Sequence, residues 1–323
     1  MTVRPYPRRC RTACAALVAA FGCAPVASSP ESAGPPAAAA ARAPHRIYDA
    51  GGSRFIDVET LVADLAAVDV LFVGEQHDDP GTHRLQRALL ETLAARGRRV
   101  VVGLEMFERD VQPRLDRYLA GRITEAEFLA GARPWPNYRT DYRPLVEFAR
   151  AKGWPVIATN VPRRIAAAVA RAGLDTLAAL SPAERGLVAG EIRCPRDAYY
   201  ERFERAMGRH PMGPDAAATE RKVLVERLYA AQCVKDETMA ESIAAGLDRE
   251  APGTLFVHFN GAFHSDDGLG IVPRLERRRP GARIRVISAI PVADLERVEA
   301  ARQRSRADYL LFTLALPAGH PDR

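Results

Sequence analysis

Apolar runs at residues 69–73, 99–104, 154–159, 253–259, 283–289 and 308–314 punctuate the chain. Short continuous runs of this kind read as buried strands. Between them, apolar residues recur at helical spacing: in 80–96, Leu85, Leu89, Leu90 and Leu93 share one side. Further helices are predicted near 59–67, as two short pieces within 109–131, and over 143–152 and 268–279. Residues 46–56 read as a hairpin around Gly51-Gly52. Strands alternating with helices imply a parallel sheet. The stretch 162–250 carries no good strand. It reads as a helical insertion with a capping-box start at Ser181-Pro182-Ala183-Glu184 and a long helix over about 216–246. The predicted fold class is α/β: a central, mainly parallel sheet flanked by helices, with the insertion at about 162–250, in a domain spanning 46–316.

The N-terminus has a different pattern. Arg4, Arg8, Arg9 and Arg11 precede a short apolar run, Cys14 to Phe21, followed by Gly22-Cys23. This reads as an export signal. A Cys after Gly suggests a lipoprotein signal over 1–23, with Cys23 as the lipidated residue. The alternative is an ordinary secretory peptide cut near Ala24-Pro25. The apolar run is too short to span a membrane, so anchoring would rest on lipid. Residues 24–45, nearly all Ala, Pro, Ser and Gly, bury too little apolar surface to fold and read as a flexible tether. The expected location is therefore a membrane-anchored lipoprotein on the periplasmic side or outer membrane.

Composition narrows the function. With 46 Lys and Arg against 40 Asp and Glu, the net charge of +6 is modest, and no basic stripe with interleaved aromatics occurs. Nucleic acid is therefore not an expected partner. The densest basic run, Arg277 to Arg279, reads as a solvated helix end. Cys194 and Cys233 are the cysteines left beyond the signal; an oxidising compartment permits a disulfide between them, though spacing does not show that they meet. No clustered Cys/His pattern suggests structural zinc.

Candidate chemistry collects at predicted strand ends. Two phrases, Gly74-Glu75-Gln76-His77 and Gly261-Ala262-Phe263-His264, each follow an apolar run and end in Gly-x-x-His. Glu105 directly follows the strand 99–104, where an unpaired carboxylate would be costly to bury. The carboxyl edge of a parallel sheet is where ligands bind. Glu75, His77, Glu105 and His264 are thus the candidate catalytic residues, and His77, Glu105 and His264 suit a divalent transition metal. Either Gly-x-x-His alone is weak, since a lone His is commonly a satisfied core or surface residue. His83 either helps the site or caps its helix; His258 sits within a strand and can face either side.

Gly74-Glu75-Gln76-His77-Asp78 with His83, Gly103-Leu104-Glu105-Met106-Phe107, Ala158-Thr159-Asn160-Val161-Pro162-Arg163, Gln232 with Lys235-Asp236-Glu237-Thr238-Met239-Ala240, and Gly261-Ala262-Phe263-His264 together resemble the ChaN-like family of haem-binding lipoproteins. The resemblance spans about 47–315. It implies an α/β fold with a helical insertion, a bacterial role in iron and haem uptake, and haem held between two subunits with a tyrosine axial ligand. The wider superfamily includes Tiki-type metalloproteases and erythromycin-esterase-like hydrolases, so a metal-dependent hydrolase using His77, Glu105 and His264 is the alternative. No motif places the haem ligand. An axial donor, an apolar slot and cations near the propionates are what haem requires, and the insertion offers Tyr199 or Tyr200, with His210 assisting. These aromatics equally suit packing of the insertion on the sheet. The loop Trp135 to Tyr142 is a second aromatic candidate. Gln232 and Asp236, one helical turn apart, are expected to hydrogen-bond toward the site or to a partner helix.

Overall fold

The structure, a computed structural model, describes residues 44–208 and 218–315. The signal segment, nearly all of the tether and His210 lie outside the described residues. Eight strands form one sheet: β1 (His45–Asp49), β2 (Arg54–Ile56), β3 (Val70–Glu75), β4 (Val100–Glu108), β5 (Val156–Asn160), β6 (Leu255–Gly261), β7 (Ile284–Val292) and β8 (Tyr309–Leu314). Their order is β2-β1-β8-β7-β3-β6-β4-β5. The six strands from β8 to β5 pair in parallel, and the β1–β2 hairpin adds antiparallel along β8. Every residue of β3 and β6 is buried. Their apolar runs, residues 70–73 and 255–257, follow from having both sheet faces covered.

One face carries α1 (Val58–Asp64), α2 (Pro80–Ala95), α3 (Gln112–Leu119), α4 (Glu125–Ala132) and α5 (Arg143–Lys152). Leu61, Leu85, Leu89, Leu115 and Leu145 pack there on Leu71, Val102, Val257 and Ile287. The other face carries α9 (Ala218–Asp248) and α10 (Ile271–Arg278), with Met239, Ile243 and Leu275 on Val70, Phe72 and Phe256. A methyl group at Gly246 of α9 would lie 2.6 Å from the Phe256 ring and 2.7 Å from Ile157, so glycine there sets how closely the helix approaches the sheet. The edge strand β5 is not left open. The Gln112 side chain accepts from Ala158 N at 2.6 Å and donates to Val156 O at 2.9 Å, standing in for a neighbouring strand.

The insertion contributes α6 (Arg163–Ala172), α7 (Pro182–Arg185), α8 (Ala198–Met207) and α9, with no strand among its described residues. α6 packs on the flank of α9 through Ile165, Val169, Ala230 and Val234. Cys194 and Cys233 are joined as a disulfide, with Cα atoms 5.5 Å apart.

Three expectations change. β4 does not stop at residue 104 but runs to Glu108, with its pairing to β5 shifted between Leu104 and Glu108. A bulge of this kind re-aims side chains, and it places Glu105 within the strand. The supposed loop over 134–142 contains a π-helical turn, Tyr138–Tyr142, a local widening that recurs near functional sites. The Arg277 to Arg279 run is not simply solvated. Arg277 and Arg278, with Arg274, converge on Glu237, whose side chain is fully buried between α9 and α10. A carboxylate removed from water needs cations, and the helix end supplies them.

Candidate functional site

Strand order builds the site. β6 lies between β3 and β4, and Glu75 at the end of β3 pairs in register with Gly261 at the end of β6. From the other side, Glu105 of β4 accepts the Gly261 backbone N–H at 2.7 Å. Two carboxylates therefore flank the end of one central strand, and each holds an imidazole.

Glu75 Oε1 accepts from His77 Nδ1 at 2.9 Å and from the Tyr142 hydroxyl at 2.6 Å, while Oε2 accepts from Gln86 Nε2 at 2.5 Å. This carboxylate is buried and oriented from three sides. His77 is its accessible partner, with 41% of its side chain exposed. With Nδ1 directed at Glu75, Nε2 faces Gly261. Burial lowers the His77 pKa, but the Glu75 hydrogen bond and the nearby Glu105 charge outweigh it, and the net shift is upward. Trp135 meets the His77 ring edge-on, with centroids 4.7 Å apart. Asn137 donates to the His77 carbonyl at 2.9 Å.

The second imidazole is held differently. His264 Nε2 lies 3.2 Å from Glu105 Oε1, and Nδ1 lies 2.5 Å from Asp236 Oδ1. Burial opposes a charge here, but the Glu105 and Asp236 carboxylates prevail and raise the His264 pKa to about 10. Glu105, despite burial, is held below the usual carboxylate range by His264 and by the Gly261 N–H. His264 is thus an imidazolium wedged between two carboxylates. Gln232 Nε2 donates to the Tyr199 hydroxyl at 3.0 Å and sits 3.1 Å from His264 Nδ1, so Tyr199 belongs to the rim of this cluster.

Glu75, His77, Glu105 and His264, drawn from three separate stretches of sequence, therefore share one hollow at the carboxyl edge of the sheet. Tyr199 is 1% exposed and points its hydroxyl inward. Tyr200 is on α8 as well but packs on Tyr229, with the Arg196 guanidinium over its ring. His83, in the first turn of α2, supports the hollow from behind: Nε2 is 3.2 Å from the His77 carbonyl and Nδ1 is 3.0 Å from Gln86 Oε1. His258 is fully buried away from it, between Thr159 Oγ1 (2.9 Å) and Asn260 Oδ1 (3.0 Å), and burial depresses its pKa to about 4. Tyr142 and Gln86 escaped sequence reasoning as partners of Glu75. The one available signal was Gln86 three residues after His83, on the same face of α2.

The donor chemistry bears on metal binding. Among the described residues, no group of three or more His, Cys, Asp or Glu side chains is disposed to hold a metal ion. Both ring nitrogens of His264 are directed at carboxylates, and a protonated imidazole offers no lone pair. A divalent ion at His77, Glu105 and His264 would have to displace that proton.

Gly261 is the position where the two halves touch. A methyl group there would lie 2.8 Å from His77 Nε2 and 3.7 Å from Glu105 Oε2. Gly261→Ala is expected to push the His77 ring outward and to destabilise the fold by about 1–3 kcal/mol through overpacking. Histidine titration by NMR checks it: the His77 midpoint should fall back toward its ordinary value, and an unmoved midpoint would remove Gly261 from the site.

Comparison with known proteins agrees with this architecture. The family model described as "Haem-binding uptake, Tiki superfamily, ChaN" matches residues 61–275. A Campylobacter jejuni structure titled "Cofacial heme binding to ChaN" is 18% identical, with a TM-score of 0.59, covering 84% of this chain and 97% of that one. An erythromycin esterase structure is 14% identical at a TM-score of 0.41, covering 72% of each chain. A curated Arabidopsis thaliana protein, RETICULATA-RELATED 5, chloroplastic, is 24% identical over 295 residues, or 84% of this chain. The match spans 38% of that relative's length.

Proposed function

The chain belongs to the haem-binding uptake family of the Tiki superfamily, the ChaN family, and from that premise we propose that it binds haem and serves its uptake. The family match over 61–275 carries this reading, because it takes in both the polar hollow and the insertion helices. The insertion supplies a donor set of the right chemistry. Tyr200 with Phe203, Tyr229 and the partly buried Met207 forms an aromatic cluster between α8 and α9, and Val223 and Leu224 of α9 are exposed beside it. Arg196 and Arg221, both exposed, lie on the same two-helix unit and its approach. Haem would supply a flat apolar body to such a cluster, an iron for a tyrosine hydroxyl and propionates for the cations. Tyr200 is the leading axial donor, since the Tyr199 hydroxyl is already engaged inside the hollow. A homodimer sharing haem, with His210 assisting, is the fuller form of the proposal.

Haem titration of the purified protein is expected to give a strong Soret band, with Tyr200→Phe altering the iron spectrum. A flat titration would end the reading. Sedimentation with and without haem tests the dimer.

A second reading, hydrolysis, is favoured by one observation: the accessible His77 is backed by the buried, triply oriented Glu75, the arrangement of a general base and its orienting carboxylate. Ester or peptide turnover that disappears in His77→Ala supports it, and added divalent ions distinguish a metal-dependent from a metal-free route. We also propose export, with a lipid on Cys23 holding the protein on the periplasmic side or outer membrane. The Cys194–Cys233 disulfide supports an oxidising compartment, and the mass of the mature N-terminus tests the anchor.

A further inference from the structure

The His264 end of the hollow is closed. Asp236 is completely buried and His264 is 6% exposed, yet Asp236 Oδ2 has no hydrogen-bond partner. What covers this end is α8. Tyr199 lays its ring 5.4 Å from the Phe263 ring, with its hydroxyl on Gln232, and a methyl group at Gly270 would come within 3.2 Å of Tyr199 Cζ. α8 is a separate ten-residue helix. Its polar tie to the body on the far side is Arg202, which donates to Asp266 O at 2.8 Å and pairs with Asp267 at 3.1 Å.

On its near side, α8 hangs from an extended segment that runs along α9. Ala189 N donates to Thr238 Oγ1 at 3.2 Å, Gly190 N to Glu241 Oε2 at 2.8 Å and Arg193 N to Glu237 Oε1 at 3.2 Å. Those bonds end four residues before Asp197, whose carboxylate caps α8 by accepting from Tyr199 N at 3.0 Å. Across the gap, the Cys194–Cys233 disulfide is the covalent tie, beside a hydrogen bond from the Tyr229 hydroxyl to Pro195 O at 2.8 Å and an exposed ion pair of Arg196 with Glu226 at 2.6 Å. Cys233 directly follows Gln232, whose amide donates to the Tyr199 hydroxyl and lies beside the His264 ring. The disulfide therefore sits where the cover meets the polar cluster.

We propose that α8 is a lid over the His264–Asp236 end of the hollow and that the Cys194–Cys233 disulfide is its latch, opened by a dithiol reductant. The two sulfurs differ in access: Cys194 is partly exposed and Cys233 is fully buried. A thiolate of the reductant attacks the Cys194 sulfur, the sulfur–sulfur bond breaks, and Cys233 leaves as a thiolate that takes a proton. The second thiol then attacks the mixed disulfide, freeing Cys194 as a thiol and closing the reductant into its own disulfide. Two electrons and two protons pass to the protein. The lid then keeps non-covalent contacts alone: its ring contacts, the Tyr199–Gln232 and Pro195 hydrogen bonds, and the Arg196, Arg202 and Arg221 ties. This device does not depend on haem being the ligand, because it concerns access to the cluster itself.

The test compares the full chain, oxidised and reduced with dithiothreitol, by hydrogen–deuterium exchange, with free thiols counted to confirm reduction. Amides of 199–205 are expected to exchange at least about tenfold faster on reduction while those of β3, β4 and β6 stay protected. Cys194→Ala, which removes the latch without any reductant, is expected to reproduce the faster exchange. Unchanged exchange over 199–205 with two free thiols would overturn the proposal. So would loss of protection spread equally through the sheet strands, which would make the disulfide a general staple rather than a latch.

Discussion

Replacing His264 by alanine is expected to destabilise the folded protein by about 3–5 kcal/mol, the usual consequence of breaking a buried ion cluster by removing one member. His264 stands between Glu105 at 3.2 Å and Asp236 at 2.5 Å, and both carboxylates are buried. Without the imidazolium, each is left in a poorly solvated position with no counter-charge. The Glu105 pKa, which His264 holds down, must then rise, and the loss should shrink at low pH, as protons replace the missing cation. Denaturant unfolding at pH 7 and near pH 4 measures both quantities. A variant as stable as the parent at neutral pH would mean that the cluster contributes no net stabilisation, and a loss that grows on acidification would refute the charge account.

The same cluster predicts an alkaline limit for the unaltered protein. A histidine whose folded pKa is raised stabilises the fold fully below its unfolded value, about 6.5, and that contribution is lost as pH rises through the folded value. For His264 the folded value is about 10. The window of loss therefore lies between about pH 7 and 11, with an amplitude on the order of 3–5 kcal/mol. His77, also shifted upward, adds in the same direction. Glu105 acts oppositely: its depressed pKa gives stability that is present above the ordinary carboxylate range and lost as pH falls. Stability should therefore peak between the two limits. Unfolding curves for the parent and His264→Ala isolate the histidine contribution, since tyrosine and lysine titration is common to both. Parallel pH profiles would show that His264 is not the group responsible.

The parallel sheet was legible because strands covered on both faces carry continuous apolar runs. β3 and β6 stand out in any window for that reason. The paired Gly-x-x-His phrases were legible as well, since glycine at a strand end is a local requirement: at Gly261 a side chain would strike His77. Glu105 announced itself by its cost, as a carboxylate following four apolar neighbours needs a partner. Other features were hidden because they depend on contacts far apart in sequence. Tyr142 reaches Glu75 across 67 positions and Asp236 reaches His264 across 28. The fate of the Arg277 to Arg279 run was misjudged for the same reason, because nothing local indicates that Glu237 on another helix is buried beneath it. The length of β4 was underestimated because a bulge leaves no compositional mark.

Sequence by itself determined that strands and helices alternate, that a helical segment interrupts them, and that Glu75, His77 and His264 stand at or just beyond strand ends. These are properties of short windows, where periodicity and the cost of burying charge act directly. Tertiary structure alone decided which imidazole is accessible and which is locked as a cation. That distinction rests on how many carboxylates each ring meets and how much water it keeps. The order of strands across the sheet governs both, and no local pattern records that order.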